Sequence, residues 1–326
     1  MSTHELIDRL KNGERHALAR AITLAESTRE DHQDTAEVIM DACMDRTGKS
    51  LRIGITGVPG VGKSTFIESF GNYLIDERGK KVAVIAVDPS SKKSKGSILG
   101  DKTRMSTLAA SANSFIRPSP SSGSMGGIGL ASREVILLCE AAGYDIVLVE
   151  TVGVGQSETE VKDIVDFFML LMLPGAGDEL QGIKRGIIEL SDAIFINKAD
   201  GDNLLKAKQA KASYTSALQL FPSSESGWQT AVELCSGQEG INLDLAWEMI
   251  LKYIELTRKN GYFEKFRQKQ LEDWFKYATE SRILSKFHHK KNFESLLSDY
   301  RKRVLGNKLS PRKASRLFVE ELNAQK

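Results

Sequence analysis

The chain has 326 residues, 41% hydrophobic and 27% charged, with a formal net charge of +2. That composition is ordinary for a soluble globular protein with a large core, built as one large domain with appendages or as two domains. The global charge gives no reason to expect a nucleic-acid partner. It is unevenly placed, however: residues 251–326 hold 19 Lys/Arg against 9 Asp/Glu, and the first 250 hold 26 against 34. A basic helical tail can meet an acidic partner, but acidic residues are mixed in throughout, so solvated helix faces are the simpler reading. Cys43, Cys139 and Cys235 lie far apart, with no C-x-x-C or Cys/His cluster. That points to a reducing compartment and away from a structural zinc site. The most apolar run, Ile164 to Leu173, is about half of the ~20 residues a membrane span needs, and Asp166 interrupts it. Met1 to Glu5 opens no apolar signal core, so a cytoplasmic protein with no membrane attachment is expected.

Residues 1–47 read as helices. Leu6, Ile7 and Leu10 form one apolar stripe, and after Asn12-Gly13 a second follows at Ala17, Leu18, Ala21, Ile22, Leu24 and Ala25. His4, His16 and His32 lack metal-ligand spacing. From 51 to about 250, apolar runs alternate with helical stretches. The strands are expected at 51–56, 82–87, 145–149, 165–173 and 193–197, and the helices around 63–77, 129–142, 178–190 and 203–219. Continuous apolar strands are covered on both faces, so the pattern specifies a doubly wound, mostly parallel α/β sheet. Ligand chemistry then belongs at the carboxyl ends of the strands. The expected organisation is an N-terminal helical extension over 1–47, a nucleotide domain over 48–250 and a C-terminal helical arm over 251–326.

The first strand runs into Gly57-Val58-Pro59-Gly60-Val61-Gly62-Lys63-Ser64-Thr65, the full G-x-x-x-x-G-K-[ST] spacing between a strand and a helix. Glycines let successive backbone N–H groups close around a phosphate chain, and the helix N-terminus adds partial positive charge. Lys63 would reach the β- and γ-phosphates, and Ser64 would take a place on Mg²⁺. The second expected strand ends in Asp88-Pro89-Ser90-Ser91, the third in Glu150-Thr151-Val152-Gly153, and the fifth in Asn197-Lys198-Ala199-Asp200.

Asn197–Asp200 matches N-K-x-D, which specifies guanine. One carboxylate, Asp200, can accept both the N1–H and the N2 amine, a donor pair that adenine lacks. Lys198 would lie along the base and Asn197 would tie this loop to the phosphate loop. Glu150–Gly153 stands where GTPases carry D-x-x-G. Glu150 would reach a metal-bound water, and the Gly153 N–H would sense the γ-phosphate. Val154 follows, not the glutamine that orients water in Ras-type enzymes, so slow intrinsic hydrolysis with help from a partner or a rearrangement is expected. Gln156 is a candidate for that help. Asp88 and Asp101 are further candidate carboxylates near the metal, making the metal set Ser64, Asp88, Asp101 and Glu150. Between Asp88 and Asp101, Ser90 to Gly100 is rich in Ser, Lys and Gly, and Lys92, Lys93, Lys95, Lys102 and Arg104 crowd it with positive charge, a loop that would close over phosphates. For Lys92, Lys93 and Lys95 a solvated surface is the better reading. Ser119 to Gly127 forms a second low-complexity loop.

Taken together, these residues resemble the methylmalonyl-CoA mutase-associated GTPases, the MeaB/ArgK family of metallochaperone-type P-loop GTPases. The resemblance runs from Ala17–Leu24 through Gly57–Thr65, Val87–Ser91, Gly100–Met105 and Glu150–Glu158 to Gly177–Lys184 and Asn197–Asp200. It extends loosely into the tail through Trp274, Val304, Gly306 and Ser310-Pro311. It implies a homodimeric GTPase that takes GTP and GDP, binds an adenosylcobalamin-dependent acyl-CoA mutase, gates cofactor delivery and protects the enzyme. It implies also that Asp88, Asp101 and Glu150 surround Mg²⁺, that the backbone at Ser236-Gly237 touches guanine, and that the C-terminal helices help dimerise. The catalytic set expected is Lys63, Asp101, Glu150 and Gly153.

Other classes compete. An ATPase or kinase serving basic amino-acid transport is disfavoured by Asn197–Asp200. A nickel-insertion GTPase would be expected to carry Cys/His clusters, and the sequence offers His288-His289 alone. A signalling GTPase with no metallocofactor client is the remaining reading.

Overall fold

The computed structural model describes residues 1–88, 105–120, 127–151, 157–175, 185–222, 224–288, 290 and 292–324. Helix α1 (Thr3–Lys11) starts where the Ser2 hydroxyl accepts the Glu5 N–H at 3.2 Å. Helices α2 (Arg15–Ala25) and α3 (Glu30–Cys43) follow. The expected stripes are buried: Leu6, Ile7 and Leu10 on α1, then Ala17, Leu18, Ala21 and Ile22 on α2.

Seven strands form one sheet: β1 (Leu51–Gly57), β2 (Val82–Asp88), β3 (Ser114–Pro120), β4 (Ile146–Thr151), β5 (Phe167–Met172), β6 (Ala193–Ile196) and β7 (Ala231–Leu234). The order is β3-β2-β4-β1-β5-β6-β7, and every pairing is parallel. Between the strands run α4 (Lys63–Asp76), α5 (Ser106–Ala110), α6 (Gly127–Ala141), α7 (Ser157–Lys162), α8 (Arg185–Leu190) and α9 (Leu204–Leu218). Helix α10 (Leu243–Lys259) follows β7. The chain lays β2 to β4 on one side of β1 and β5 to β7 on the other. The reversal at β1 opens the ligand crevice at its carboxyl end, where the glycine-rich loop begins.

The central strands are apolar on both faces because helices cover both. Every residue of β5 is 1% exposed or less, and each such side chain contributes about 1.5–3 kcal/mol relative to exposure. On one face Phe66 and Phe70 of α4 and Trp247, Ile250 and Tyr253 of α10 pack with Ile53, Ile55, Phe167 and Phe195 in one core.

Two strands lie outside the sequence expectation, β3 and β7, and they are the two edges of the sheet. β3 contains Arg117, Pro118 and Pro120, and an edge strand tolerates prolines because one side of its ladder needs no donors. β7 has four residues, one of them Glu233. Neither is a continuous apolar run, because an edge is not covered as the centre is. The helix expected at 178–190 is described from Arg185, and most of the loop expected at 119–127 lies outside the described residues.

The amino ends of the strands carry a second polar layer. Asp166 accepts the Arg52 N–H at 2.8 Å and a two-pronged contact from Arg267 of helix α11 (Tyr262–His288), at 2.8 and 2.7 Å. Glu140 takes the Arg52 guanidinium at 2.8 Å, and Asp192 takes the Lys162 ammonium and the Phe168 N–H. Burial pushes the Asp192 carboxyl above its ordinary range, and Lys162 pulls it partly back.

Residues 1–123 and 127–271 form one compact unit, and residues 272–326 belong to a second. In the second, α12 (Phe293–Leu305) and α13 (Pro311–Ala324) pack through Phe318, which meets the rings of Phe293 and Tyr300 edge-on. The Tyr300 hydroxyl donates to Glu321 at 2.8 Å. The Ser310-Pro311 start of α13 has the Ser310 hydroxyl accepting the Lys313 N–H and proline at the first helical position. No helix among the described residues is long and apolar enough to cross a membrane.

Candidate nucleotide site

Three loops converge at the carboxyl end of the sheet. The first is Gly57–Gly62 after β1. Gly62 has φ 91° and is the N-cap of α4, and a Cβ there would come within 3.1 Å of the Asn197 amide. Glycine is required both for the left-handed backbone and for that close approach. Lys63 opens the helix, and its ammonium donates to the Gly57 carbonyl at 2.8 Å. Val61 is buried, while Pro59, Gly60 and Thr65 are exposed and Val58 is partly so.

The second is the end of β4. Ile55 pairs with Glu150, which brings that carboxylate beside the loop after β1. The Ser64 hydroxyl donates to Glu150 Oε1 at 3.1 Å, and Glu150 is 6% exposed. One residue on, the buried Thr151 hydroxyl donates to Thr56 at 2.8 Å, tying the two strand ends together. A hydroxyl and a carboxylate side by side under a phosphate-type loop are hard oxygen donors suited to Mg²⁺.

The third is Asn197–Asp200 after β6. Asn197 is buried, its amide donates to the Val61 carbonyl at 2.8 Å, and its Oδ1 accepts the Gly237 N–H at 2.9 Å. One side chain therefore holds the phosphate loop and the loop after β7 in fixed relation. Lys198 takes φ 58°, an uncommon conformation outside glycine, and its ammonium reaches the Gly60 carbonyl at 2.9 Å. Asp200 accepts the hydroxyl of Ser236, which in turn accepts the Glu239 N–H at 3.1 Å. Cys235 is buried beside Asn197, and burial pushes its thiol up, away from reactivity.

Of the expected site residues, the structure brings together Gly57–Thr65, Glu150, Asn197, Lys198, Asp200, Ser236 and Gly237. Asp88 closes β2, and its side chain is not described. Asp101, Gly153, Val154 and Gln156 lie outside the described residues, as do Lys92, Lys93, Lys95, Lys102 and Arg104.

A strand-end carboxylate, a G-K-S loop and an N-K-x-D loop meeting at one crevice describe a guanine-nucleotide site, and comparison with known sequences gives its lineage. The profile of the family described as Methylmalonyl Co-A mutase-associated GTPase MeaB matches residues 18–292. The chain belongs to the MeaB family. As a member it is a P-loop GTPase, binding GTP and GDP. The GTPase ArgK of Escherichia coli (strain K12) is 47% identical over 98% of this chain and 97% of its own length. The mitochondrial methylmalonic aciduria type A homolog of Mus musculus is 41% identical over 97% of this chain and 78% of its own length. A crystal structure of a LAO/AO transport system kinase matches with a TM-score of 0.75 at 41% identity, covering 98% of this chain and 97% of that one. MeaB-family membership thus agrees with the resemblance read from the motifs.

Sequence reasoning did not single out Thr56 or Ser69. Neither belongs to a spaced motif, and a lone hydroxyl in a strand or helix carries no periodic signal. Their partners are 95 and 168 residues away along the chain.

Proposed function

We propose that this GTPase uses GTP to gate cofactor delivery to an adenosylcobalamin-dependent methylmalonyl-CoA-type mutase and to protect that enzyme, acting as a cytoplasmic homodimer. The observation that carries the reading is the family match, whose description names the mutase and which spans residues 18–292, nearly all of the nucleotide-binding unit. The geometry supports the nucleotide half. Backbone N–H groups of the loop from Gly57 to Gly62, all but Pro59 having one, and the Lys63 ammonium would hold the β- and γ-phosphates, with Lys63 leaving the Gly57 carbonyl to do so. Ser64 would hold Mg²⁺, with Glu150, Asp88 and Asp101 around it, the ion adding positive charge against the transferring phosphoryl group. Asp200, already oriented by the Ser236 hydroxyl, would accept the two guanine donors, and Lys198 would swing its stem along the base.

Val154 leaves the position after Gly153 without a water-orienting amide. Hydrolysis by the isolated protein is therefore slow, and Gln156 or the client supplies the missing group. Exposed Phe275, Tyr277 and Ile283 on α11 are apolar surface that a second copy would cover. The test is to measure GTP turnover with and without the cobalamin-dependent mutase of the same cell and to ask whether the two co-purify. Acceleration by the mutase supports the proposal. Unchanged turnover with every such mutase of the cell would sink it.

The name of the LAO/AO transport system kinase relative favours a second reading, an ATPase or kinase for basic amino-acid transport. Stimulation of ATP turnover by lysine, arginine or ornithine would support it. Asp200 weighs against it, since adenine would leave that carboxylate without its donor pair.

A further inference from the structure

We infer that Ser69, on the phosphate-binding helix, is a positioning residue that sets guanine selectivity. The inference rests on the reading of Asn197–Asp200 and Ser236-Gly237 as the base site. The Gly237 peptide is gripped at both polar ends. Its N–H goes to Asn197 Oδ1 at 2.9 Å, and its carbonyl accepts the Ser69 hydroxyl at 2.5 Å. It is also pressed against α4: a Cβ on Gly237 would lie 2.7 Å from the Phe66 Cα and 2.9 Å from the Phe66 nitrogen. The residue before it, Ser236, orients Asp200 and pairs with Ile241 across the loop. Where the Gly237 peptide sits therefore decides where the Ser236 hydroxyl and the Asp200 carboxylate sit.

The behaviour of Ser69 differs from that of several mid-helix hydroxyls in this chain. A serine or threonine inside a helix ordinarily bonds back to the carbonyl four residues earlier. Ser213, Thr215 and Thr257 do so, to Gln209, Lys211 and Tyr253. Ser69 instead donates across to a carbonyl 168 residues further on. It stands on the same rigid helix as Lys63 and Ser64, so α4 fixes the spacing between the phosphate end and the base end of the site. Guanine is read by Asp200 only when that spacing holds. Adenine makes no such contact and would not register its loss.

Steady-state kinetics with GTP and with ATP test this on wild type, Ser69→Ala and Ser69→Thr. Removing the hydroxyl is expected to raise KM for GTP about two- to tenfold with kcat within about twofold, the scale of one side-chain hydrogen bond. ATP parameters stay put, so the GTP-to-ATP ratio of kcat/KM falls by the same factor, and Ser69→Thr restores most of it. A Ser69→Ala variant whose ratio equals that of wild type, whether both nucleotides weaken together or neither does, would overturn the inference. A wild type that turns over both nucleotides equally would overturn the base-site reading itself, and the inference with it.

Discussion

The two ends of the sheet carry carboxylates that are answered by different groups, all of them buried except the half-buried Asp200. At the amino ends, cations reach Glu140, Asp166 and Asp192 from Arg52, Arg267 and Lys162. At the carboxyl ends, hydroxyls reach Glu150 and Asp200 from Ser64 and Ser236. A buried carboxylate paired with a guanidinium is neutralised in place and holds elements together; removing one partner strands a charge. A carboxylate oriented by a hydroxyl is held in position for the roles proposed above, toward a hydrated cation at Glu150 and toward two nucleobase donors at Asp200. The same residue types thus build a fastening at one end and the proposed binding site at the other.

Substitutions at the two ends should separate activity from stability. The largest effect is expected for Lys63→Ala, which should lower GTP turnover by about 10²–10³-fold with little change in the melting curve. Retained turnover would mean that another site does the chemistry. At the opposite end, Asp166→Ala leaves the Arg267 guanidinium and the Arg52 N–H without their carboxylate acceptor. A loss of about 3–5 kcal/mol in denaturant unfolding is expected, with the KM for GTP within about twofold of wild type where the variant is folded. A variant at Asp166 that is fully stable but blind to GTP would reverse the comparison.

Ser236→Ala should weaken GDP binding by calorimetry about fivefold, the scale of one hydrogen bond, while costing less than about 1 kcal/mol of stability. The smallest effect concerns pH. Because burial raises the Asp192 carboxyl in the folded state, the folded chain binds its proton more tightly than the unfolded chain does. That contribution is fully present below the ordinary carboxylate range of about 4 and is lost as pH rises through the raised folded value. Asp192→Asn should therefore gain stability relative to wild type as pH rises through that window, and a difference that does not vary with pH would contradict it.

The centre of this protein was legible in its sequence and the periphery was not, for one reason. β1, β2, β4, β5 and β6 lie inside the sheet and so are written as mostly apolar runs. The edges β3 and β7, with Pro118, Pro120 and Glu233, carry no such run. In the site, motifs with fixed spacing found Gly57–Thr65 and Asn197–Asp200. Asp166 read only as an interruption of an apolar run, yet it accepts three hydrogen bonds. Ser69 and Thr56 were invisible because each works through one partner far along the chain, a relation that only folding creates.

The measurement that tests the account most directly is nucleotide preference in wild type and Asp200→Asn, read as kcat/KM for GTP, ATP and xanthosine triphosphate. The account predicts that wild type favours GTP over ATP by about 10²-fold or more, and that Asp200→Asn exchanges GTP for xanthosine triphosphate, whose 2-oxo group an amide can donate to. Equal use of GTP and ATP by wild type, or an Asp200→Asn variant that still prefers GTP, would contradict it.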